Sequence, residues 1–127
     1  MIINKKLLGK ISNSYVIEKG GTDNTNFYAK YSDGTLIQWG VSTFNDKITI
    51  ANGNGLYRSE NQITKTLAIP FLNTNYYPIL TGLGGNVALA YISDRTTTSF
   101  KFYPNATWSV NNNNWKSVFF IIIGVWK

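Results

Sequence analysis

Short apolar runs alternate with glycine- and asparagine-rich turn signals along the chain. The turn signals are Gly20-Gly21, Asp33-Gly34, Asn52 to Gly55, Asn73 to Asn75, Gly82 to Gly85, Asp94-Arg95 and Asn111 to Asn114. The segments between them have the length of β-strands, and short strands at regular intervals are typical of a β-sandwich or β-barrel. The pattern therefore predicts an all-β fold, which we take to be an antiparallel β-sandwich.

The clearest hairpin joins the segments Phe27 to Tyr31 and Thr35 to Val41 through the turn Ser32-Asp33-Gly34. Asp-Gly supplies the positive φ angle that a tight hairpin turn demands. Because side chains alternate along a strand, one face of the second segment carries Ile37, Trp39 and Val41. We expect Trp39, together with Trp126 near the end of the chain, to lie in the core.

Two later segments also alternate. From Gln62 to Phe71, one face carries Leu67, Ile69 and Phe71. Pro70 indicates an edge or the end of that strand, because proline cannot donate a ladder hydrogen bond. From Thr96 to Tyr103, Phe100 and Phe102 alternate with polar residues, and we expect both rings to point into the core.

The most apolar segment, Val118 to Val125, is far shorter than the roughly 20 residues that a membrane-spanning helix needs. It predicts a buried strand with apolar side chains on both faces, one carrying Val118, Phe120 and Ile122 and the other Phe119, Ile121, Ile123 and Val125. One core covers only one face, so we expect a partner subunit to cover the other. The alternative is a stable monomer in which loops fold over the outer side of this strand.

With 127 residues, 43% of them hydrophobic, the chain has the size of one domain and enough apolar residues for one core. We divide it into a lead-in at residues 1–24 with one short strand, Tyr15 to Glu18, and a β-sandwich domain at residues 25–127. The segment Met1 to Ile11 is interrupted by lysines and lacks the long apolar core of a signal peptide, so it gives no support to secretion by that route.

The chain has no cysteine and no histidine. We therefore expect no disulfide, no imidazole catalysis, no metal and no cofactor, since the usual zinc, copper and haem ligand sets are missing. The formal net charge of +6 would favour anionic partners, but the basic residues are scattered and only Lys5 and Lys6 are adjacent. We interpret them as solvated lysines and expect neither nucleic-acid binding, which needs a clustered basic groove, nor insertion into a membrane.

Catalysis finds little support among the six acidic residues. Glycoside hydrolysis needs two carboxylates that face each other. Asp33 fits the hairpin turn instead, and Asp94 fits a strand end, where Asp normally bonds the local backbone. Nothing in the pattern pairs the remaining carboxylates, and serine chemistry lacks a histidine. We therefore expect no catalytic residue and no enzymatic activity.

Three strings follow one another in a preserved order: Tyr28 to Gly40, which holds Leu-Ile-Gln-Trp-Gly after its glycine turn; Ala68 to Phe71 with Asn75 to Tyr77; and the ending Gly124 to Lys127. They resemble the C-terminal receptor-binding domain of bacteriophage and prophage tail-fibre proteins, and the same order of strands is distantly similar to H-type lectin domains. The segment Phe119 to Ile123 departs from the more mixed, Trp-containing tail-fibre pattern. The resemblance implies that residues 25–127 form the tail-fibre domain, and that three copies meet around a common axis near the last strand.

Trp and Tyr rings stack on the apolar faces of sugars, and Asn amides donate and accept hydrogen bonds, so loops that combine them can hold a glycan. Two Trp residues flank the asparagine tract, and Tyr-Arg follows the Asn-Gly turn. The predicted receptor contacts are therefore Tyr57, Arg58, Trp108, Asn112, Asn113 and Trp115. The alternative is that Trp108 and Trp115 anchor the loop to the core, since large rings are mostly buried.

These observations together predict a phage tail-fibre tip that attaches to a bacterial cell-surface polysaccharide or protein. The chain would be part of the virion, produced in the cytoplasm of the bacterial host, and joined to the rest of the tail fibre or baseplate as a homotrimer. Several copies per fibre would compensate for weak single sites. The alternative is a structural virion or trimerisation domain without a ligand of its own, and binding to host cell walls separates the two.

Overall fold

The computed structural model describes residues 14–23 and 25–127, which form ten β-strands and no helix. The strands are β1 (Val16–Asp23), β2 (Asn26–Tyr31), β3 (Thr35–Phe44), β4 (Ile48–Ala51), β5 (Tyr57–Ser59), β6 (Ile63–Thr66), β7 (Ile79–Gly84), β8 (Leu89–Arg95), β9 (Ser99–Ala106) and β10 (Lys116–Val125). The prediction of an all-β fold is confirmed. Within the described part of the chain, no helix is long and apolar enough to cross a membrane.

Two antiparallel sheets make up the fold. The first sheet has five strands in the order β1-β2-β3-β10-β7, and the second has the order β4-β5-β9-β6, with β8 also paired to β9. Strands β3 and β10, each of ten residues, pair along their whole length at the centre of the first sheet. In the second sheet, β9 is bordered by β5 and β6 on one side and by β8 on the other.

The sheets face each other across a core of aromatic and aliphatic side chains, so the antiparallel β-sandwich is confirmed. Phe100 of β9 meets Phe120 of β10 edge to face, with ring centroids 5.4 Å apart. Phe100 and Phe102 are both fully buried, as the alternation in this segment predicts. The core consists of Leu36, Phe44, Leu67, Phe71, Tyr76, Phe100, Phe102, Val118, Phe120 and Ile122.

The predicted hairpin forms between β2 and β3, with Phe27 opposite Trp39. Gly34 has a φ of 97°, in the left-handed region that glycine adopts without steric cost. The Asp33 carboxylate accepts a hydrogen bond from the Thr35 N–H at 2.9 Å, and this bond holds the pKa of Asp33 below its usual value. Asp33 is therefore the turn residue that the sequence indicates.

The predicted position of Trp39 in the core is wrong. The buried face of β3 carries Leu36, Gln38, Gly40, Ser42 and Phe44. Gly40 faces inward, where a Cβ would lie 1.8 Å from the Thr25 carbonyl oxygen, and its neighbour Trp39 consequently faces outward. There the half-buried Trp39 ring stacks on Phe27, with centroids 5.9 Å apart. Trp126 does pack against the core, as expected.

The segment Gln62 to Phe71 forms a shorter strand than predicted, because β6 covers only Ile63–Thr66. Thr66, the last residue of β6, pairs with Ser99, the first residue of β9. Residues after Thr66 therefore have no residue of β9 left to pair with. Beyond this point the backbone is irregular. Leu67 and Phe71 nevertheless reach the core, so the apolar spacing identifies the buried residues although it does not identify the backbone conformation.

Strand β1 is longer than the predicted strand Tyr15 to Glu18, since it spans Val16–Asp23. The pair Gly20-Gly21, interpreted above as a turn, lies inside it opposite Tyr28 and Phe27. The strand forms one edge of the first sheet, so the predicted division at residue 24 falls between two paired strands. Residues 1–13 of the predicted lead-in lie outside the described residues, and its status as a separate segment stays a prediction.

Candidate functional site

The asparagine tract lies in the loop between β9 and β10, residues 107–115, and a buried lysine holds it in place. Lys116 is only 2% exposed, and its Nζ donates hydrogen bonds to the carbonyl oxygens of Asn112 and Asn114 at 3.0 and 2.9 Å. Burial lowers the pKa of Lys116, while the charge of Asp46 opposes that shift. The loop is also joined to β4, because Val110 in the loop forms an antiparallel bridge with Ile48, the first residue of β4.

Both tryptophans that flank the tract are exposed. Trp108 is 53% exposed and Trp115 is 70% exposed, so the alternative in which they anchor the loop to the core is wrong. Asn112 and Asn113 are exposed as well. The Asn112 side chain accepts a hydrogen bond from the Asn114 N–H at 3.0 Å, which stabilises a local turn. The loop therefore presents two indole rings and exposed amides from a fixed base.

Tyr57 and Arg58 are neighbours on β5 and point to opposite sides of the second sheet. Tyr57 packs against a small buried cluster of Ile48, Ala106 and Val110. The Arg58 guanidinium lies on the outer side, 4.7 Å from the centroid of the Tyr103 ring. Only one of these two predicted contacts, Arg58, therefore belongs to an outer surface of the sandwich.

Two tyrosines that the sequence did not single out accompany Arg58. Tyr103 of β9 lies opposite Tyr91 of β8, and their ring centroids are 5.4 Å apart. Arg58, Tyr103 and Tyr91 thus form a row of one cation and two rings across three strands, which we call the tyrosine row. The signal was present, because Tyr103 occupies the outward phase of the same alternation that points Phe100 and Phe102 inward.

The predicted contacts do converge on one end of the molecule. Tyr57 pairs with Ala106, the last residue of β9, and the loop at 107–115 starts immediately after it. The tyrosine row approaches that end on the outer side of the second sheet, because Arg58 pairs with Asn105. The loop and Arg58 therefore lie at the same end of β9, and Tyr57 packs against the buried cluster that includes Val110 of the loop.

The described carboxylates bind neighbouring groups of the fold. Glu18 accepts a hydrogen bond from the Tyr28 hydroxyl at 2.6 Å, which lowers the pKa of Glu18 and raises that of Tyr28. Asp46 accepts two hydrogen bonds from Asn61, at 2.7 and 3.1 Å. Residues 14–23 and 25–127 hold no group of acidic side chains that could bind a metal ion. The absence of enzymatic activity stays a prediction.

A second notable surface is the outer face of the first sheet. The outward side chains of β3, β10 and β7 include no charged group: Thr35, Ile37, Trp39, Val41, Thr43, Ser117, Phe119, Ile121, Ile123, Val125, Ile79, Thr81 and Leu83. At the edge of the sheet, Lys19 of β1 has the same outward phase. We call this surface the apolar face. Ile79, Ile123 and Leu83 on it are 67%, 58% and 59% exposed. Within the single chain, the last strand is therefore buried on one face only, and the predicted cover of its other face by a partner subunit stays a prediction.

A continuous row of large side chains crosses the apolar face. Phe27 pairs with Trp39, Trp39 with Ile121, and Ile121 with Ile79. Beside Phe27 and Trp39 lies a shallow cleft of about 420 Å³, which is also lined by Lys19, Gly20, Gly21 and Tyr28. Large contiguous apolar surfaces of this kind mark interaction sites in soluble proteins.

Comparison with known proteins identifies relatives by fold alone. No protein-family model and no curated protein sequence matches the chain. Among solved structures, the N-truncated R1-type pyocin tail fibre matches with a TM-score of 0.55 and 14% identity over 98% of this chain and 98% of that one. The P. aeruginosa R1 pyocin fibre comprising its C-terminal residues matches with the same TM-score and identity, over 98% of this chain and 32% of that one.

These two matches establish that the chain shares the fold of pyocin tail-fibre fragments. The chain spans nearly the whole of the first fragment and about a third of the second. The predicted fold class is thereby supported by solved structures as well as by the chain's own strands. The predicted similarity to H-type lectin domains stays a prediction.

Proposed function

We propose that this chain is a tail-fibre domain that attaches a phage or phage-like particle to a bacterial surface glycan or protein. Three observations support the proposal: the fold shared with pyocin tail-fibre fragments, the ordered sequence strings, and the exposed loop at 107–115. The observation that carries it is the exposure of Trp108 and Trp115, at 53% and 70%, on a loop fixed by a buried lysine. The chain would act in the virion after synthesis in the host cytoplasm.

The proposed mechanism is adhesion without chemistry. Exposed indole rings gain free energy by stacking on the apolar faces of sugar rings, and the Asn112 and Asn113 amides can both donate and accept hydrogen bonds. Lys116 restrains the loop before any ligand arrives, so less conformational entropy is lost on binding. Arg58 and the tyrosine row extend this surface along the second sheet and offer planar groups for further contacts.

Retention on isolated cell walls tests this proposal. The labelled protein is passed over walls and purified surface polysaccharides from a panel of bacterial strains, and we expect retention by at least one strain. Trp108→Ala and Trp115→Ala should each weaken retention about tenfold, the equivalent of about 1.4 kcal/mol. Tyr15→Ala should not, because it removes an exposed ring beside Ser32 in the β2–β3 turn, away from the loop. A folded protein that is retained by no wall or polysaccharide would instead support a structural virion domain without a ligand.

We also propose that the apolar face joins copies of the chain into a homotrimer, joined in turn to the rest of a fibre or baseplate. The face has no charged outward side chain on β3, β7 or β10, and burying each large apolar side chain is worth roughly 1.5–3 kcal/mol. A second copy of the same face offers a matching uncharged surface. Three copies follow from the tail-fibre resemblance, and they would supply the several binding sites that adhesion by weak contacts needs.

Light scattering measures the oligomer directly. We expect a mass near three times the 14.3 kDa of one chain, falling to that of one chain in Ile121→Asp, where a charge would enter the apolar face. Ile50→Asp is the matched control, since Ile50 is 39% exposed on the second sheet and should leave the mass unchanged. A single-chain mass for the unmodified protein at micromolar concentration would overturn the homotrimer.

A further inference from the structure

A polar cleft lies at the other end of strand β9 from the loop at 107–115. It has a volume of about 500 Å³ and lies between the segment that precedes β7 and the second half of β8. The lining residues are Thr74, Tyr77, Ile92, Ser93, Asp94 and Arg95. Arg95 pairs with Phe100 near the start of β9, whereas Trp108 follows the last residue of β9. None of these lining residues belongs to the predicted receptor contacts.

An arginine and an exposed tyrosine form the wall of this cleft. The Arg95 guanidinium lies 4.3 Å from the centroid of the Tyr77 ring, and its Nη1 donates to the Tyr76 carbonyl oxygen at 2.8 Å. Tyr76 is itself fixed, because it is 1% exposed and its hydroxyl donates to the Thr96 and Ser99 carbonyl oxygens. The cleft is therefore built on the core, although its mouth is open to solvent.

The cleft also presents groups that suit a polyhydroxylated ligand. Tyr77 is 74% exposed, so most of its ring remains available for stacking even with Arg95 beside it. One carboxylate oxygen of Asp94 accepts a hydrogen bond from the backbone N–H of Arg95 at 2.8 Å, and this bond orients the exposed carboxylate. The Ser93 hydroxyl accepts a hydrogen bond from Gln62 and retains its own hydrogen for donation, and Thr74 adds a second exposed hydroxyl.

We propose that this cleft binds a neutral sugar unit of a surface polysaccharide. An apolar face of the sugar would stack on Tyr77, while adjacent hydroxyls would donate to Asp94 and accept from Ser93 or Arg95. A neutral unit fits because Asp94 and Arg95 bring opposite charges to the same wall. The volume lies within the roughly 300–1,000 Å³ of small-molecule sites.

This inference rests on the proposed attachment function, and it adds a second contact to it. Each chain would hold a polysaccharide at both ends of β9, through the exposed tryptophans at one end and Tyr77 at the other. Two weak sites on one rigid domain raise the effective concentration at the second site once the first is occupied. The cleft can therefore be weak on its own and still contribute to attachment.

Nuclear magnetic resonance titration with free sugars tests the cleft. The full chain is titrated with glucose, galactose, mannose, rhamnose and N-acetylglucosamine, each in turn, while backbone amide shifts are followed. We expect at least one sugar to shift the amides of Thr74, Tyr77 and Ser93. Tyr77→Ala should weaken that binding about tenfold, and Asp94→Asn should weaken it without loss of folding. Leu72→Ala is the matched control, since Leu72 is exposed on the same segment but does not line the cleft.

The outcomes separate the cleft from the attachment function. Shifts confined to residues 107–115 would overturn the cleft and leave the attachment function standing. Shifts produced by glucuronic acid, but by none of the neutral sugars, would overturn the assignment of a neutral ligand. If no sugar shifts any amide while the same protein is retained on cell walls, the saccharide cleft is wrong. If cell walls do not retain the protein either, the attachment function fails and the cleft fails with it.

Discussion

The side-chain amide of Gln38 exchanges two hydrogen bonds with the backbone of Ile69. Its Nε2 donates to the Ile69 carbonyl oxygen at 2.9 Å, and its Oε1 accepts from the Ile69 N–H at 3.3 Å. Gln38 is 1% exposed on the inner face of β3, whereas Ile69 lies in the irregular segment after β6. The buried Gln38 amide thus supplies hydrogen-bond partners for the Ile69 N–H and carbonyl groups, which have no neighbouring strand. It also links the segment around Ile69 to the first sheet.

Replacing Gln38 with Met should destabilise the protein by about 1–3 kcal/mol, because the substitution keeps the volume but leaves the Ile69 backbone groups unpaired. The free energy of unfolding in urea measures the loss. Gln62→Met is the control: Gln62 is exposed, so its loss should stay below about 0.5 kcal/mol. Equal losses for the two variants would contradict the role given to Gln38.

Tyr76 should make the protein sensitive to alkali. Burial raises the pKa of Tyr76 to about 12 from its usual 10.0, so the folded state favours the neutral phenol. Its contribution is complete below pH 10 and is lost between pH 10 and 12, at up to about 1.4 kcal/mol per pH unit. Urea unfolding across this range measures the slope. Tyr76→Phe should be less stable at neutral pH, but its free energy of unfolding should fall less steeply between pH 10 and 12. If the slope in Tyr76→Phe equals that of the unmodified protein, groups other than Tyr76 cause the alkaline loss.

Gly40 should not tolerate a side chain. A Cβ at this position would lie 1.8 Å from the Thr25 carbonyl oxygen, which accepts the Val41 N–H at 2.9 Å, so the strand or the turn must move. We expect Gly40→Ala to cost about 1–3 kcal/mol in thermal or urea unfolding. Gly20→Ala is the control, because the nearest atom to its Cβ would be 3.4 Å away. If Gly40→Ala leaves the free energy of unfolding unchanged, the close approach between position 40 and the Thr25 carbonyl oxygen is contradicted.

Lys116 should control the order of the asparagine loop. In Lys116→Met the Asn112 and Asn114 carbonyl oxygens lose their buried donor, so we expect faster amide hydrogen exchange across residues 111–115 and a loss of stability of about 1–3 kcal/mol. Retention on cell walls should weaken in the same variant. Lys47→Met is the control for a general effect of removing a positive charge. If Lys47→Met speeds hydrogen exchange across residues 111–115 as much as Lys116→Met does, the role given to Lys116 is contradicted.

The strands were predictable where one local rule decides them. Asp33-Gly34 fixed the hairpin, and strict alternation placed Phe100 and Phe102 inside. The position of Trp39 was not predictable, because alternation separates two faces without indicating which one meets the other sheet. Gly40, on the inner face of β3, approaches the Thr25 carbonyl, and alternation within the strand does not reveal a contact with a residue outside it.

The candidate site was predictable only in part, for a similar reason. Trp108 and Trp115 stood out because they flank a tract that is continuous in sequence. Tyr77 and Arg95 lie 18 positions apart in sequence, and they meet across the fold, where Arg95 also bonds the Tyr76 carbonyl. Contacts between distant segments that follow no repeating pattern have no local sequence signal.

Binding of the labelled protein to intact bacteria tests the central claim, attachment to a bacterial surface through several weak sites, most directly. Flow cytometry of a panel of strains should show saturable labelling of at least one, removed by excess unlabelled protein. The single-chain variant Ile121→Asp should bind the same strain about a hundredfold more weakly, because it loses multivalency but keeps each site. The opposite result, a folded trimer that labels no strain above background, would contradict the account.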